Sequence, residues 1–382
     1  MATMTVPTHE TTPCRASATP ALSTEPRSPA AQGTIKPLCI GGREIGFPVV
    51  QAALSGYSDR AMRLIARRLG ADYTLCEVMV DRLVIDARKK GLRRLDLVGE
   101  EHPVGGQLMG SEPGEFALAA RRLVQAGFDV VDINFGCPVK KVLGRCRGGY
   151  LLGQPATALE IVSRVRDAVP PEIPVTVKMR RGLDDSRESR ERFFIIFDGA
   201  FQRGVAAITV HGRTVTQRYL GPSRWAFVRE VKAHAGNRTV LGSGDLFTAQ
   251  DCLDMIRQTG VDGVTAARGA IGNPWIFAQA RALAESGVLP APPSLLQQRD
   301  VMLDHYRLAE EIHGADRCGR LMRKFGIQYA RLHPQADEVR RAFISVRNLQ
   351  DWQAVLDRWY AEDLPGVHPP QDAGAAWSDC AA

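Results

Sequence analysis

The chain has 382 residues, of which 45% are hydrophobic and 24% charged, enough apolar material for a large core and about two domains. A net charge of +7 permits an anionic partner without requiring one. The eight cysteines are scattered without a CxxC pair, no histidine cluster has metal-ligand spacing, and no apolar run approaches a membrane span. No basic-then-apolar leader opens the sequence, so the expectation is a cytoplasmic protein, bound to neither metal nor membrane, and a monomer.

In chain order, residues 1–34 are rich in Thr, Ser, Pro and Ala and are expected to form a disordered tail. PLCIGGREIGFPVV then reads as two short strands around Gly41-Gly42, leading into a core strand over Phe47 to Ala52. Seven further strand-like segments follow: Tyr73 to Val78, Val104 to Leu108, Val130 to Phe135, Val175 to Met179, Ala206 to His211, Thr239 to Gly242 and Gly263 to Ala267. Helical spacing fills the intervals over Asp59 to Leu69, Pro113 to Gln125, Pro155 to Ala168, Ser189 to Arg203, Arg224 to Ala235 and Thr248 to Gln258. The interval after the second strand is less regular and basic, with Arg88-Lys89-Lys90 and Arg93-Arg94.

Eight strand-then-helix units fit an α/β fold of the (β/α)8 barrel type over residues 35–290, with an open doubly wound sheet as the alternative. After Pro274 the pattern is helical only, through Arg299 to Ile312, Gly319 to Leu332, Asp337 to Val346 and Leu349 to Tyr360. A smaller all-helical domain is therefore expected over 291–361, followed by a flexible tail over 362–382.

A barrel places its chemistry at the carboxyl ends of its strands. There the sequence holds Gln107, Asn134 with Cys137, Lys178 with Arg180 and Arg181, His211 with Arg213, Ser243-Gly244-Asp245, and Arg268-Gly269. A single His or Gln after a strand usually satisfies loop backbone, but polar residues at successive strand ends point to an active site. The glycine-bearing turns after strands seven and eight are where barrels often bind phosphate, and Arg268 can add a bidentate contact. With no GxGxxG after the first strand, a Rossmann-type nicotinamide site is not indicated. Flavin mononucleotide (FMN) fits this layout, with Lys178 near its pyrimidine end.

The run DVVDINFGCPVKK closes an apolar strand on a single cysteine, Cys137, followed by proline and two lysines. This string, with QAALSGYSDRAMR, QLMGSEP, VKMRRGLDDS, VHGRTVTQRYLGPSRW, GSGDLF and ARGAIGNPWIF, resembles the tRNA-dihydrouridine synthase family over nearly the whole chain after residue 34. MRKFGIQYARLHP resembles the start of that family's helical RNA-binding domain.

The resemblance implies an FMN-dependent (β/α)8 oxidoreductase that reduces a uridine in tRNA with NADPH. Carried over by position, Ala53, Leu54 and Ser55 match the first flavin-contacting loop. Gln107, Lys178, His211, Ser243, Gly244, Asp245, Ala267 and Arg268 match the other flavin contacts, and Cys137 matches the catalytic acid. The chain departs from the common pattern at Ala53 for proline, Leu54 for methionine, Ser243 for asparagine and Ala267 for glycine.

A thiol with an ordinary pKa of about 8.5 is mostly protonated at neutral pH and can release its proton, which suits an acid rather than a nucleophile. Asn134, Lys140 and Arg181 are candidates to position the base or stabilise the enolate. Arg213 joins them as a substrate contact, and Arg320, Arg323 and Lys324 give the helical domain a basic face for RNA. A uridine buried in folded tRNA must be extruded to reach a barrel mouth. Two rival readings remain at this level: an FMN barrel acting on a free pyrimidine, in the manner of dihydroorotate dehydrogenases, and an RNA-binding protein that has lost flavin.

Overall fold

The computed structural model describes residues 35–86 and 95–370. The expected tail over 1–34, the basic run Arg88-Lys89-Lys90 with Arg93-Arg94, and residues 371–382 lie outside the described residues.

Two strands, β1 (Leu38–Ile40) and β2 (Arg43–Gly46), form an antiparallel hairpin around the Gly41-Gly42 turn. The remaining strands are all parallel: β3 (Val49–Gln51), β4 (Thr74–Leu75), β5 (Met79–Val80), β6 (Val104–Met109), β7 (Val130–Phe135), β8 (Val175–Arg180), β9 (Ala207–His211), β10 (Thr239–Ser243) and β11 (Gly263–Ala266). Pairing of β11 with β3, β3 with β4, and β4 with β6 closes the sheet on itself. The fold is a (β/α)8 barrel, and the open-sheet alternative is excluded by that closure.

The second barrel strand differs from the expected continuous Tyr73–Val78. It is broken into β4 and β5, both paired to β6, because the backbone between them turns toward the first loop, where Glu77 N donates to Ser58 O (3.1 Å).

Alternation along the strands explains the placement of polar residues. On β8, Val175, Val177 and Met179 belong to the apolar core between sheet and helices, whereas Lys178 and Arg180 face the barrel mouth. At the other end of the barrel, Leu38, Ile40 and Ile45 of the hairpin pack with Val50, Tyr73, Leu75 and Leu241 and plug it. The hairpin thus closes the amino-terminal end and leaves the carboxyl end open.

Helices start where side chains satisfy the first backbone amides. Asp59 caps Arg60–Arg68 through Met62 N (3.0 Å), and Ser186 and Thr248 cap Arg187–Gln202 and Ala249–Thr259. Pro113 and Pro155 occupy the first turn of Pro113–Gln125 and Pro155–Ala168.

Beyond the last barrel helix, Ile276–Ser286, the chain is helical: Leu295–His313, Ala315–Tyr329, Ala336–Ile344 and Leu349–Trp359. Trp352 sits fully buried between Tyr306 (ring centroids 5.4 Å apart) and Phe343 (4.9 Å) at the centre of this region. The region packs directly on the barrel. At Gly272, a Cβ would lie 2.4 Å from the Gln328 carbonyl carbon, so only glycine allows this approach of barrel loop to helix. The tail expected to be flexible from 362 is pinned through residue 367: Leu295 N donates to Leu364 O (2.9 Å) and Val367 N to Leu332 O (2.9 Å). These backbone pairings are set by tertiary contact and carry no local signature.

Candidate active site

A cavity of about 480 Å³ opens at the carboxyl ends of the strands. Ala53, Leu54, Ser55, Gln107, Asn134, Cys137, Lys178, His211, Ser243, Gly244, Asp245, Ala267 and Arg268 all line it, so the barrel brings these sequence-derived candidates together. Lys324 reaches it from helix Ala315–Tyr329, as do Ile327 and Gln328. The walls also include Arg180, one of the strand-end residues, and Tyr57, Tyr219 and Phe247, which no sequence motif singles out. Arg180 lies two residues after Lys178 on the same strand and therefore on the same face.

Cys137 sits on a loop fixed by a directed hydrogen-bond chain. The buried Asp132 carboxylate accepts from Thr176 Oγ1 (2.5 Å) and from Gln107 Nε2 (2.7 Å). Gln107 therefore turns its carbonyl oxygen to Asn134 Nδ2 (2.7 Å). Asn134 Oδ1 in turn accepts from Gly136 N (2.8 Å) and Cys137 N (3.1 Å). Arg180 Nε donates to Gly136 O (2.8 Å), while its Nη1 donates to Thr214 O (2.7 Å) and Arg218 O (2.7 Å), so one guanidinium ties two active-site loops together. Asn134, expected to touch substrate, thus spends its amide on positioning the cysteine loop. Burial pushes the Cys137 thiol up from its ordinary pKa, with Arg180 and Lys178 pulling the other way, which keeps it protonated at neutral pH.

Positive charge is concentrated around the cavity. Burial, with help from Arg180, lowers Lys178 to about 8, and among the described residues its amine has no hydrogen-bond or ion-pair partner. Burial lowers Arg180 to about 10. His211 is held well below its ordinary value by burial and by the cations Arg180, Lys178, Arg213 and Arg268, so it is neutral at pH 7. Its Nε2 is buried without a partner, while Nδ1 lies 3.5 Å from Ser243 Oγ. The Arg268 guanidinium stands over the rings of Tyr219 (5.1 Å) and Phe247 (5.0 Å), and Arg180 is 5.6 Å from the Tyr219 centroid. Asp245 is the carboxylate among these cations, and it is occupied by Arg213 Nη2 (2.7 and 2.8 Å), by Ser223 N (2.7 Å) and by Arg268 (3.4 Å).

Such an excess of buried cations suits an anionic ligand, and the apolar walls Ala52, Ala53, Leu54 and Ala267 suit a flat ring. FMN has both features, and the unpartnered His211 Nε2 and Lys178 amine are free to meet its polar edge. Gly244 has φ +115°, and a Cβ there would lie 2.3 Å from Ser223 Oγ. Ala267 has φ −106°, outside the left-handed region that favours glycine, so the position does not require the family's glycine for a positive φ.

Other expected contacts lie elsewhere. Arg181 is buried and donates to Asp185 Oδ1 (2.6 Å), and Arg213 is buried against Asp245, so neither guanidinium lines the cavity. Lys140 is exposed at the start of the short helix Lys140–Leu143, beside Cys137 in the chain. Arg320 and Arg323 are exposed on helix Ala315–Tyr329, whereas Lys324 is half-buried. Among the described residues there is no group of His, Cys, Asp or Glu that could hold a metal ion, and no helix long and apolar enough to cross a membrane.

The family model described as dihydrouridine synthase (Dus) matches residues 50–363. A Xanthomonas campestris pv. campestris protein named tRNA-dihydrouridine synthase B is 36% identical over 337 residues, covering 88% of this chain and 99% of its own. A Mycobacterium tuberculosis protein named "Probable tRNA-dihydrouridine synthase" is 33% identical over 345 residues, covering 88% and 87%. Among solved structures, a 2-naphthoyl-CoA reductase complex superposes with a TM-score of 0.54 at 11% identity, covering 88% of this chain and 71% of that one. Histamine dehydrogenase from Rhizobium sp. 4-9 gives 0.51 at 16% identity, covering 70% and 48%. These likenesses extend to the fold alone.

Proposed function

Because the chain belongs to the dihydrouridine synthase family, we propose that it reduces a specific uridine of tRNA to 5,6-dihydrouridine, with FMN as cofactor, NADPH as reductant and Cys137 as proton donor. The observation that carries this reading is the placement of a protonated thiol on a fixed loop at the mouth of a cation-rich cavity.

A reduced flavin held in that cavity would supply hydride to carbon 6 of the uracil ring. Negative charge then builds on carbon 5 and the adjoining carbonyl oxygen, and Cys137 delivers its proton to carbon 5. Lys178 and His211 would hold the polar edge of the flavin, and Gly244, Ala267 and Arg268 its phosphate. Arg180 and Asn134 keep the Cys137 loop in register with the ring.

The uridine must leave its stack to reach Cys137, and its unstacking, a few kcal/mol, is offset by stacking and phosphate contacts at the mouth. Lys140, exposed and next in the chain to Val139 of the cavity lining, and the exposed Arg320 and Arg323 of the helical region would meet RNA phosphates. In this reading the barrel over 35–290 is the catalytic domain and the helices over 291–361 bind RNA. The direct test is the purified protein: a near-stoichiometric flavin band, together with NADPH-dependent formation of dihydrouridine in tRNA, supports the proposal. Absence of bound flavin refutes it.

A further inference from the structure

The loop after the first barrel strand carries Ala53, Leu54 and Ser55 into the cavity wall. From the barrel side it is held by Leu54 N to Ser58 Oγ (2.8 Å), Tyr57 N and Ser58 N to Leu54 O (3.0 Å each), Gly56 N to Glu77 Oε1 (2.6 Å) and Glu77 N to Ser58 O (3.1 Å), and none of these bonds engages the Gly56 carbonyl. The helical region grips the same loop. Lys324 Nζ donates to Gly56 O and stands 4.4 Å from the Tyr57 ring centroid. Phe325 meets Tyr57 edge to face at 5.4 Å, and His313 Nε2 pairs with Asp59 Oδ2 at 2.7 Å.

Lys324 also lies between two cavities. One is the active-site cavity, and the other, of about 410 Å³, separates barrel from helices and is lined by Asp59, Glu77, His313 and Arg317 among others. Its charge is therefore already answered: Asp59 and Glu77 face it, a carbonyl accepts from it, and two aromatic rings flank it. An RNA phosphate would have to strip these contacts and approach two carboxylates. Arg320 and Arg323, exposed on the same helix, carry no such commitments among the described residues.

We propose that Lys324 is a positioning residue of the cofactor pocket, through which the helical region holds the first loop of the barrel in its flavin-binding form, and not a contact to RNA. The inference rests on FMN binding as proposed above. The helical region is then part of the cofactor site as well as a surface for tRNA.

The experiment compares wild type, Lys324→Met, Lys324→Arg and the double variant Arg320→Ala/Arg323→Ala. The Kd for FMN is measured by fluorescence, and the Kd for an unmodified tRNA transcript over a salt series with FMN saturating. Lys324→Met keeps the apolar stem and removes the ammonium, and its FMN affinity is expected to fall on the order of tenfold, as for loss of one charged hydrogen bond, with the tRNA salt slope unchanged. Lys324→Arg can still donate to Gly56 O and is expected to recover most of the affinity, which separates positioning from misfolding. The double variant is expected to flatten the salt slope and leave FMN affinity intact.

Wild-type FMN affinity in Lys324→Met, or a flattened salt slope in that variant, overturns the inference while leaving the proposed function standing. Failure of Lys324→Arg to recover FMN affinity also overturns it. Failure of wild type to bind FMN overturns both.

Discussion

Replacing Lys178 with methionine should stabilise the flavin-free protein while weakening its hold on flavin. The amine lies in the cavity wall without a partner, and burial, aided by Arg180, lowers it from 10.5 to about 8. That depression corresponds to about 3 kcal/mol of penalty on the charged form. Access to cavity water and loss of the favourable interaction with Asp132 reduce the net gain on substitution to about 1–2 kcal/mol. The pH window follows from the direction of the shift. Below pH 8 the group is protonated both folded and unfolded, and the penalty is complete. Between about 8 and 10.5 the unfolded chain holds more protons than the folded one, so the penalty fades as pH rises.

The assay is thermal unfolding of flavin-stripped wild type and Lys178→Met from pH 7 to pH 10.5, read as the difference between them. The buried cysteines, which burial pushes up, add a pH dependence of their own as their thiols ionise in the unfolded chain, but they are common to both proteins and cancel. The variant is expected to melt about 2–4 °C higher at pH 7, with the gap closing toward pH 10.5. With FMN present the order should reverse, because the ligand's anionic edge turns the unpaired cation from a penalty into a contact. A flavin-free variant that melts below wild type at pH 7, or a gap that widens with pH, would refute the reasoning.

Cys137→Ala is expected to retain flavin and NADPH oxidation but to lose uridine reduction by about 10²–10⁴-fold, the usual worth of a positioned acid, measured by dihydrouridine yield under single turnover. Arg268→Ala should lower flavin occupancy in the purified protein more than Ser243→Ala, since a charged contact to phosphate outweighs a neutral one; equal occupancies would count against the phosphate placement. Asn134→Ala removes the acceptor for Gly136 N and Cys137 N, so single-turnover reduction should slow about tenfold or more while FMN affinity stays near that of wild type. A large loss of FMN affinity instead would make Asn134 a cofactor contact.

The barrel was legible because six of its eight strands end in a polar residue that their apolar runs cannot use, and because period-two alternation separates Lys178 and Arg180 from Val177 and Met179. The chain from Asp132 through Gln107 to Asn134 was not. Its members come from neighbouring strands, and only the register that sets Gln107 opposite Asp132 brings them into contact. The buried pairing of Arg213 with Asp245, residues 32 apart, was hidden for the same reason, and it is why an arginine in the HGRT string is structural. Lys324 read as one more cation on a basic helix; its grip on Gly56, 268 residues away, depends wholly on how the helical region docks. The break between β4 and β5 and the pinning of Leu364 and Val367 likewise arise from backbone pairings that no local pattern announces.

The measurement closest to the central claim is mass spectrometry of tRNA from cells lacking this gene, incubated with the purified protein, FMN and NADPH. Wild type is expected to convert one uridine position to dihydrouridine, and Cys137→Ala, with its flavin still reduced by NADPH, to leave that position unmodified. Oxidation of NADPH by flavin-loaded wild type without any gain of dihydrouridine, or an equal gain with Cys137→Ala, would contradict the assignment of Cys137 as the proton donor in tRNA uridine reduction.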